Sequence, residues 1–305
     1  MQRYLAQRLV QAIVTLLMMS AVVFLLARLT GNPVDLMVDM YATEQDRAEL
    51  ARHLGLDRPL PVQYATFVVN AARGDFGDSI RMRRPAIGIV MERFPATLQL
   101  AGVAMAVAIV IALPIGVVSA VRRDTPLDRF GKLIALLGQS MPVFWLGLVL
   151  MLVFAVWLRL LPTSGSDSPL HFILPGVTLG WYVVAGIMRL TRSSMLDVLD
   201  SEFVKLARIK GLPERIIVWK HCLKNAAIPV ITFSGIIFVG MLTGSIVTET
   251  IFAWPGVGRL AYQAVLWRDF PLIQTIVILF TTVYVLVNLA IDLAYAYLDP
   301  RIRFS

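Results

Sequence analysis

The sequence predicts an all-α integral membrane protein with six transmembrane helices and with both termini in the cytoplasm. Two compositional observations lead to this fold class: 58% of the 305 residues are hydrophobic and only 16% are charged. Soluble domains carry about 25% charged residues, so this chain lacks the polar surface that a water-soluble body of its size needs. A third observation is the uneven charge, with 28 Lys and Arg against 20 Asp and Glu.

Each predicted span is a run of residues with little or no charge. A helix needs about 20 residues, at about 1.5 Å rise each, to cross the hydrocarbon core. Five runs contain no Asp, Glu, Lys or Arg, and the last contains one acid, Asp292. The first run lies between Arg8 and Arg28 and lacks a small-residue cleavage site, so we expect a retained helix instead of a secretory signal. The six runs are 9–27, 97–121, 133–158, 172–188, 228–247 and 272–298.

Charge counting predicts the orientation of these spans. With the N-terminus inside, the inner segments hold 16 basic and 7 acidic residues, whereas the outer segments hold 12 of each. The inner segments therefore carry +9, and Asp292 within the last span brings the total to +8. The positive-inside rule explains this surplus, and no nucleic-acid partner is needed. The predicted organisation is a tail and first span (1–27), an outer loop with short helices (28–96), a core membrane domain (97–298) and a cytoplasmic tail (299–305).

The outer loop reads as a small folded cap on the bundle, which we favour over a direct substrate site. Thr43 and Asp46 form a capping box that opens a short helix, and Gly55 can end that helix. A single cysteine, Cys222, excludes an intrachain disulfide framework. Three scattered histidines make a Cys/His metal site a poor expectation, so no metal is predicted.

The inner segment 189–227 predicts a helix, a sharp turn and a second helix under the bilayer. Gly211 supplies a left-handed stop, and Pro213 suits the first turn of the second helix, which is expected to end before Pro229. One interpretation is an interfacial linker that rests on lipid headgroups. The other is a docking surface for a cytoplasmic partner, whose backbone Gly211 allows to approach closely. The predicted apolar face of the first helix, 196–210, consists of Leu196, Leu199, Phe203, Leu206 and Ala207.

Polar residues near the spans suggest a translocation pathway. Pro142 is expected to kink the third span, where Gln139 and Ser140 either satisfy the freed backbone or face the pathway. Glu249 follows the fifth span in the outer loop and, with the turn that contains Gly256, is a hypothesis for an outer gate.

Residues 201–230, SEFVKLARIKGLPERIIVWKHCLKNAAIPV, resemble the cytoplasmic coupling segment of permease subunits of binding-protein-dependent ABC importers, in the dipeptide, oligopeptide and nickel group. Gly211 holds the family's glycine and Ala207 its second alanine, whereas Lys205 and Leu206 replace the usual glutamate and first alanine. These departures, and His221 after the glycine, are similar to the peptide group. Further blocks match in order at 53–64, 74–80, 93–100 and 248–274, as in the first permease with a long outer loop.

The resemblance implies a type I importer permease in the bacterial inner membrane, working with other subunits. The expected partners are a second permease in a pseudo-two-fold pair, two cytoplasmic P-loop ATPases and an external solute-binding protein. Residues 201–224 would seat on one ATPase and couple its closure to alternating access. The candidate coupling residues are Glu202, Ala207, Arg208, Lys210, Gly211, Leu212, Glu214 and His221.

The sequence predicts a transport subunit instead of an enzyme. No G-x-x-x-x-G-K-[ST] motif is present, so ATP is expected on the partner subunits, with no cofactor or catalytic residue on this chain. Peptides are favoured as substrate, since the spans offer no ligand set for bare nickel. The alternatives are an ATP-independent secondary transporter or channel subunit, which would not need the inner helices, and a membrane scaffold, which leaves the ordered blocks unexplained.

Overall fold

The chain is built almost entirely of helices. The computed structural model describes the backbone of residues 2–29, 34, 43–53 and 55–298. Within these ranges there is no strand, and one isolated bridge pairs Asp78 with Pro85. The predicted all-α fold class is confirmed. The side chain of Asp292 and the predicted tail 299–305 lie outside the described residues.

The first half of the chain begins with a long helix and includes one pair of helices separated by a short break. They are α1 (Gln2–Leu29), α2 (Glu44–His53), α3 (Leu60–Ala72), α4 (Ala86–Val121), α5 (Pro126–Ser140) and α6 (Val143–Leu150), which continues as a π-helix (Met151–Trp157).

The second half carries the predicted inner segment and the last two spans. Its helices are α7 (Ile173–Leu199, after a 3₁₀ turn at Pro169–Phe172), α8 (Glu202–Ile209), α9 (Glu214–Ile216, continuing as a π-helix at Ile217–Cys222), α10 (Leu223–Gly244), α11 (Ile246–Ile251), α12 (Val257–Trp267) and α13 (Phe270–Leu298).

Five described helices are long and apolar enough to cross a membrane, and the count is six if the bent pair of α5 and α6 is one span. This agrees with the predicted count of six, although the boundaries differ. The helix of the second span begins at Ala86, well before the charge-free run at 97–121. At about 1.5 Å per residue, a helix of 36 residues is about 54 Å long, so α4 exceeds the hydrocarbon core of about 30 Å.

The third span is broken at Pro142 and is not merely kinked. The helix axis bends by 105° between α5 and α6. Met141 is extended, with ψ 124°, because the proline ring disfavours a helical conformation in the residue before it. Pro142 is then the N-cap of α6, where its missing N–H removes no helical hydrogen bond. The break therefore ends one helix and begins another.

The second helix of the inner segment was predicted to end before Pro229, and this prediction was wrong. Pro229 lies inside α10. A proline removes only its own N–H bond to the carbonyl four residues earlier, and a helix packed in a bundle tolerates that loss. The predicted first helix, 196–210, is also divided, because α7 ends at Leu199 and α8 begins at Glu202.

The helices group into two compact units, Ala96–Gly258 and the remainder. In the unit 96–258, α7 is central and packs against α5, α6 and α10. In the other unit, α1 packs along α13, and Phe24 of α1 contacts the rings of Tyr64 and Phe67 in α3. There the buried Asp269 also accepts a 2.5 Å hydrogen bond from the Ser79 hydroxyl.

Candidate functional site

The inner turn is a capped helix end that presents Gly211 to the surface. The N–H of Gly211 donates to the Arg208 carbonyl at 3.0 Å, and that of Leu212 donates to the Ala207 carbonyl at 3.2 Å. This pair of bonds is the Schellman arrangement, which requires a left-handed residue after the helix. Gly211 has φ +76°, and no atom lies within 4 Å of where its Cβ would stand. The sharp predicted turn is therefore present, with open space beside it.

One face of α8 holds the turn onto the rest of its unit. Val204 is fully buried, as are Met195 of α7 and Ile217 after the turn. Ala207 packs against the same cluster. Because this cluster joins α4, α7, α8 and the second helix, the turn is a fixed part of the unit. The buried members are Val117, Ala120, Met195, Val204, Ile217, Val218, Cys222 and Ala226.

The other face of α8 carries exposed apolar side chains, which we call the apolar ridge: Phe203, Leu206, Ile209 and Leu212. Ile209 is 81% exposed and Leu206 is 56% exposed. The sequence placed Phe203 and Leu206 on one apolar face with Leu199 and Ala207, and the structure divides that set: Leu199 and Ala207 pack against the buried cluster, whereas Phe203 and Leu206 are exposed. The helix is interrupted at residues 200–201, so the periodicity of α7 does not continue into α8. As a result, Val204 is the residue of α8 that is buried.

Charged side chains surround the ridge and brace the turn. Arg208 Nε donates to Glu214 Oε1 at 2.7 Å across the turn, and Lys205 pairs with Glu202 at 2.7 Å on α8. The hydrogen bond that Arg208 donates to Glu214 raises the pKa of Arg208 above its usual value. Lys210 at the end of α8 is also exposed. The surface around Gly211 is therefore apolar at its centre and mixed in charge at its edge.

The second helix connects the turn directly to the fifth span. Residues 214–244 form one helical run of 31 residues, through α9, the π-helix and α10. The half-buried His221 lies in the π-helix, where its carbonyl accepts a 2.8 Å bond from the Asn225 amide. A displacement of the Gly211 turn would therefore move a continuous helix that reaches Gly244.

A buried ion pair holds α5 against α7, and the sequence analysis did not identify it. Asp128 is fully buried and accepts two hydrogen bonds from Arg192, at 2.9 and 3.1 Å. Lys132 lies 2.9 Å from the same carboxylate. The spacing of Asp128 and Lys132 is visible in the sequence as an i,i+4 pair. The stronger partner, Arg192, is 64 positions away and only the fold brings it close.

Gln139 and Ser140 lie at the end of α5, just before the break. The Gln139 carbonyl oxygen accepts a 2.6 Å bond from Arg189 of α7, and the Ser140 hydroxyl donates to the Leu136 carbonyl at 2.9 Å. Both side chains are exposed. Their predicted roles were to satisfy the freed backbone or to line the pathway; neither bond reaches the Gly138 carbonyl, four residues before Pro142, and both roles stay predictions.

Glu249 lies in α11, not in a loop, and it is fully buried. Its Oε1 accepts hydrogen bonds from the hydroxyls of Thr97 and Ser245, both at 2.8 Å. The Thr97 hydroxyl in turn accepts from the Val257 N–H at 2.8 Å. These contacts fix the loop after α11 onto α4. An outer-gate role for Glu249 stays a prediction.

The turn after α11 is tightly packed, whereas the Gly211 turn has open space beside it. The indole N–H of Trp254 donates to the Ala96 carbonyl at 2.9 Å, and its ring contacts Phe172 edge-on at 4.6 Å. A Cβ on Gly256 would collide with the Glu249 carboxylate. We call Thr97, Ser245, Glu249, Trp254 and Gly256 the Glu249 cluster.

Within the described residues, no group of three or more His, Cys, Asp or Glu side chains is placed to hold a metal ion. The candidate coupling residues lie on α8, on the helix that begins at Glu214 and in the turn between them, and the turn brings Arg208 and Glu214 into contact. The turn is held in place by the buried cluster and has open space beside Gly211. The helical run that follows it, 214–244, continues into the fifth span.

Comparisons with known proteins cover nearly the whole chain. A family model described as "Binding-protein-dependent transport system inner membrane component" matches residues 112–304, and a model of the corresponding N-terminal region matches residues 1–101. The chain is 43% identical over 306 residues to the "Glutathione transport system permease protein GsiC" of Salmonella paratyphi A, and 42% identical to that of Escherichia coli K12. Both alignments cover 100% of each chain.

Two solved structures have a similar fold. One, from inward-facing conformations of the MetNI methionine ABC transporter, has a TM-score of 0.56 at 19% identity, covering 70% of this chain and 97% of that one. The other, an amino acid ABC transporter with histidines, has a TM-score of 0.51 at 17% identity, covering 70% and 94%. These likenesses concern the fold alone.

Proposed function

The chain belongs to the family of inner-membrane components of binding-protein-dependent transport systems, and from that premise we propose that residues 201–224 couple an ATPase to the fifth span. It is a permease subunit of an ATP-driven importer. In this proposal the apolar ridge and Gly211 sit in a groove of a cytoplasmic ATPase subunit. ATP-driven closure of that subunit displaces the turn and shifts the permease between its two access states.

The observation that carries the proposal is the combination of an open glycine turn with a rigid connection to a span. Gly211 has empty space beside it, whereas Val204 and Ile217 on either side of the turn are fully buried. A partner can therefore approach the backbone at the turn, and a force applied there is transmitted through packed helices. The continuous helical run 214–244 supplies the path to the membrane.

A linker that only rests on headgroups fits this surface less well. The apolar ridge would suit lipid, but the tip of the turn between Arg208 and Glu214 carries charge of both signs. Such a mixed surface is typical of protein interfaces, in which an apolar centre has a polar rim. The ATP-independent alternative gives no role to a mounted surface of this kind.

The partners follow from the family at a coarse level, and their arrangement is part of the proposal. A binding-protein-dependent system includes a solute-binding protein and an ATPase. We propose that a second permease pairs with this chain, that two ATPase subunits bind on the predicted cytoplasmic side, and that all ATP chemistry takes place on those subunits. This chain then contributes positioning and movement, with no catalytic residue.

Small peptides are the proposed substrate class, with glutathione as the first candidate to examine. The support comes from the relatives named as glutathione transport permeases, which are 42–43% identical over the whole chain. Glutathione is itself a tripeptide, so this candidate lies within the peptide class favoured from the sequence. A binding screen on the partner solute-binding protein, with glutathione and simple dipeptides as probes, measures the choice directly.

The test of coupling substitutes Gly211 in the complete transporter. Both Gly211→Ala and Gly211→Trp incur the backbone strain of an L residue at φ +76°, about 1–2 kcal/mol, but only tryptophan fills the open space. We expect Gly211→Trp to insert normally and to lose at least tenfold of both solute uptake and the stimulation of ATPase activity by loaded binding protein. Gly211→Ala should keep most of both.

Two results would contradict coupling at this turn. One is normal stimulation in the purified Gly211→Trp complex, which would show that the turn is not enclosed by the ATPase. The other is an equal loss in Gly211→Ala, which would assign the effect to backbone strain. Uptake of a different solute by the wild-type transporter would overturn the substrate proposal and leave coupling intact.

A further inference from the structure

A polar cavity lies between α1 and α3, apart from the coupling segment. Its volume is about 190 Å³, several times the roughly 30 Å³ that one water molecule occupies in the liquid. The polar side chains that line it are Arg28 at the end of α1, Arg58, Gln63, Thr66, Asn70 and Gln274. All of them belong to the unit that excludes residues 96–258.

Two buried polar atoms in this cavity have no hydrogen-bond partner among the described residues: Arg28 Nε and Gln63 Oε1. The Gln63 amide nitrogen donates to the carbonyls of Leu56 at 3.0 Å and Arg58 at 2.7 Å. Since both of those groups are acceptors, the amide orientation is fixed, and the oxygen is the atom of this lining residue that is left without a partner. An unsatisfied buried polar atom destabilises the folded chain, so the cavity suits a ligand with both an acceptor and a donor.

The charge of the cavity specifies an anion. Two guanidinium groups, Arg28 and Arg58, line it, and none of the described lining residues is acidic. Arg28 also stands over the Phe24 ring, 5.2 Å from its centre, which holds the guanidinium in place. Guanidinium groups in a fixed position bind phosphate or carboxylate oxygens through paired N–H bonds.

The depth of the cavity points to a lipid headgroup. The charge-free run 9–27 is about 28 Å long as a helix, close to the thickness of the hydrocarbon core. Arg28 follows this run directly, so it stands at the boundary between hydrocarbon and headgroups. Helix α3 has no charged residue and is bracketed by Arg58 and Arg73. An apolar helix of 13 residues with such flanks is typical of a membrane interface.

Contacts between the helices hold α3 beside α1 at this boundary. The Tyr64 hydroxyl lies 2.9 Å from the Ser20 hydroxyl and 3.0 Å from the Leu17 carbonyl. Leu60, Val62 and Val69 of α3 are exposed apolar side chains. An acyl chain can lie along such a surface while its headgroup reaches the two arginines.

We propose that this cavity binds the headgroup of an anionic glycerophospholipid of the phosphatidylglycerol type. The phosphodiester oxygens accept from Arg28 and Arg58, and a headgroup hydroxyl donates to Gln63 Oε1. On the predicted orientation the lipid belongs to the outer leaflet. It would anchor the long outer loop to the first span, a role that needs neither ATP nor transported solute.

The test measures lipid retention by the purified, complete transporter. After delipidation, the complex is titrated with short-chain phosphatidylglycerol, with phosphatidylcholine of the same chain length and with inorganic phosphate, and bound molecules are counted by native mass spectrometry. We expect saturable binding of phosphatidylglycerol that falls at least tenfold in Arg28→Gln/Arg58→Gln. The matched control Arg73→Gln, an exposed arginine at the other end of α3, should bind as the wild type does.

Two further variants keep the proposal falsifiable. Arg58→Gln alone changes an exposed side chain, so it should assemble normally and still weaken binding by severalfold. Gln63→Leu should weaken phosphatidylglycerol while sparing phosphatidic acid, which lacks the headgroup hydroxyl. Equal binding of phosphatidylcholine, or equal loss in Arg73→Gln, would overturn the proposal. Saturable binding of phosphate alone at the same concentration, or of glutathione at these arginines, would assign the cavity to a free anion or to the solute and would equally overturn it.

Discussion

The Gly211 turn and the Glu249 cluster both place a glycine after a short helix, but their surroundings are opposite. At Gly211 the space for a side chain is empty and four apolar neighbours are exposed. At Gly256 the same space is occupied by the Glu249 carboxylate, which is itself fully buried. Gly211 therefore leaves room for a partner protein, whereas Gly256 leaves room for the Glu249 side chain of the same chain.

This difference separates two kinds of functional surface. The Glu249 cluster satisfies its own polar groups, because the Thr97 and Ser245 hydroxyls both donate to Glu249. The Gly211 turn satisfies its backbone through the Schellman bonds but leaves the apolar ridge uncovered. An exposed apolar ridge that buried contacts hold in place is a surface that another subunit would cover.

The largest effect is expected from Gly256→Leu. Its side chain cannot fit without displacing the Glu249 carboxylate, which would break the bonds to Thr97 and Ser245. Overpacking and unpaired buried groups together cost several kcal/mol, about 3 or more. We expect a fall of many degrees in the thermal unfolding midpoint of the purified complex and little folded protein in the membrane. Gly211→Leu, at an open site, is the matched control and should incur only the backbone strain of about 1–2 kcal/mol at φ +76°, so its fall in midpoint should be clearly smaller.

An intermediate effect is expected when the apolar ridge is made polar. Leu206→Ser and Ile209→Ser change exposed side chains, so the permease itself should fold normally. Each would remove roughly 1.5 kcal/mol of apolar burial against the ATPase, equivalent to about tenfold in affinity. The measurement is the dissociation constant between the solubilised permease pair and the ATPase. Leu170→Ser, equally apolar and exposed but on the predicted outer side, should leave it unchanged; equal weakening there would argue against the ridge.

The smallest effect is expected from Glu249→Gln. The amide keeps an oxygen that can accept from Thr97 and Ser245, and its shape is nearly unchanged. Uptake by this variant should stay within about threefold of the wild type at equal expression. A loss of tenfold or more would support the outer-gate hypothesis instead, because it would show that the charge itself is required. Glu249→Ala, which removes the carboxylate that accepts from both hydroxyls, serves as the positive control for structural damage.

Most of the helical framework could be predicted from the sequence because membrane spans are defined by composition. Runs free of charge located every long span, and Gly211 predicted its turn through its allowed backbone conformation. The break at Met141 was foreseen only as a kink, since a proline in sequence does not show whether a helix resumes in the same direction. Pro229 shows the converse case, in which the helix continues through the proline.

Contacts between distant segments could not be predicted. The pairing of Asp128 with Arg192 and of Glu249 with Thr97 joins residues that no local pattern connects. The orientation of Val204 depends on the two-residue break before α8, which a periodicity count across 196–210 does not detect. The candidate coupling residues stay a prediction, and the division between buried and exposed faces around them needed the fold.

The central claim, that the Gly211 turn is enclosed by an ATPase subunit, can be measured by thiol protection. The native Cys222 is fully buried, so wild-type protein provides the unreactive background. Ile209→Cys places a thiol at a position that is 81% exposed in the chain alone. We predict that a water-soluble maleimide labels it at least tenfold more slowly in the complete transporter than in the permease pair without ATPases, whereas an Arg73→Cys control is labelled equally in both. Equal labelling of Ile209→Cys in the two preparations would contradict the account.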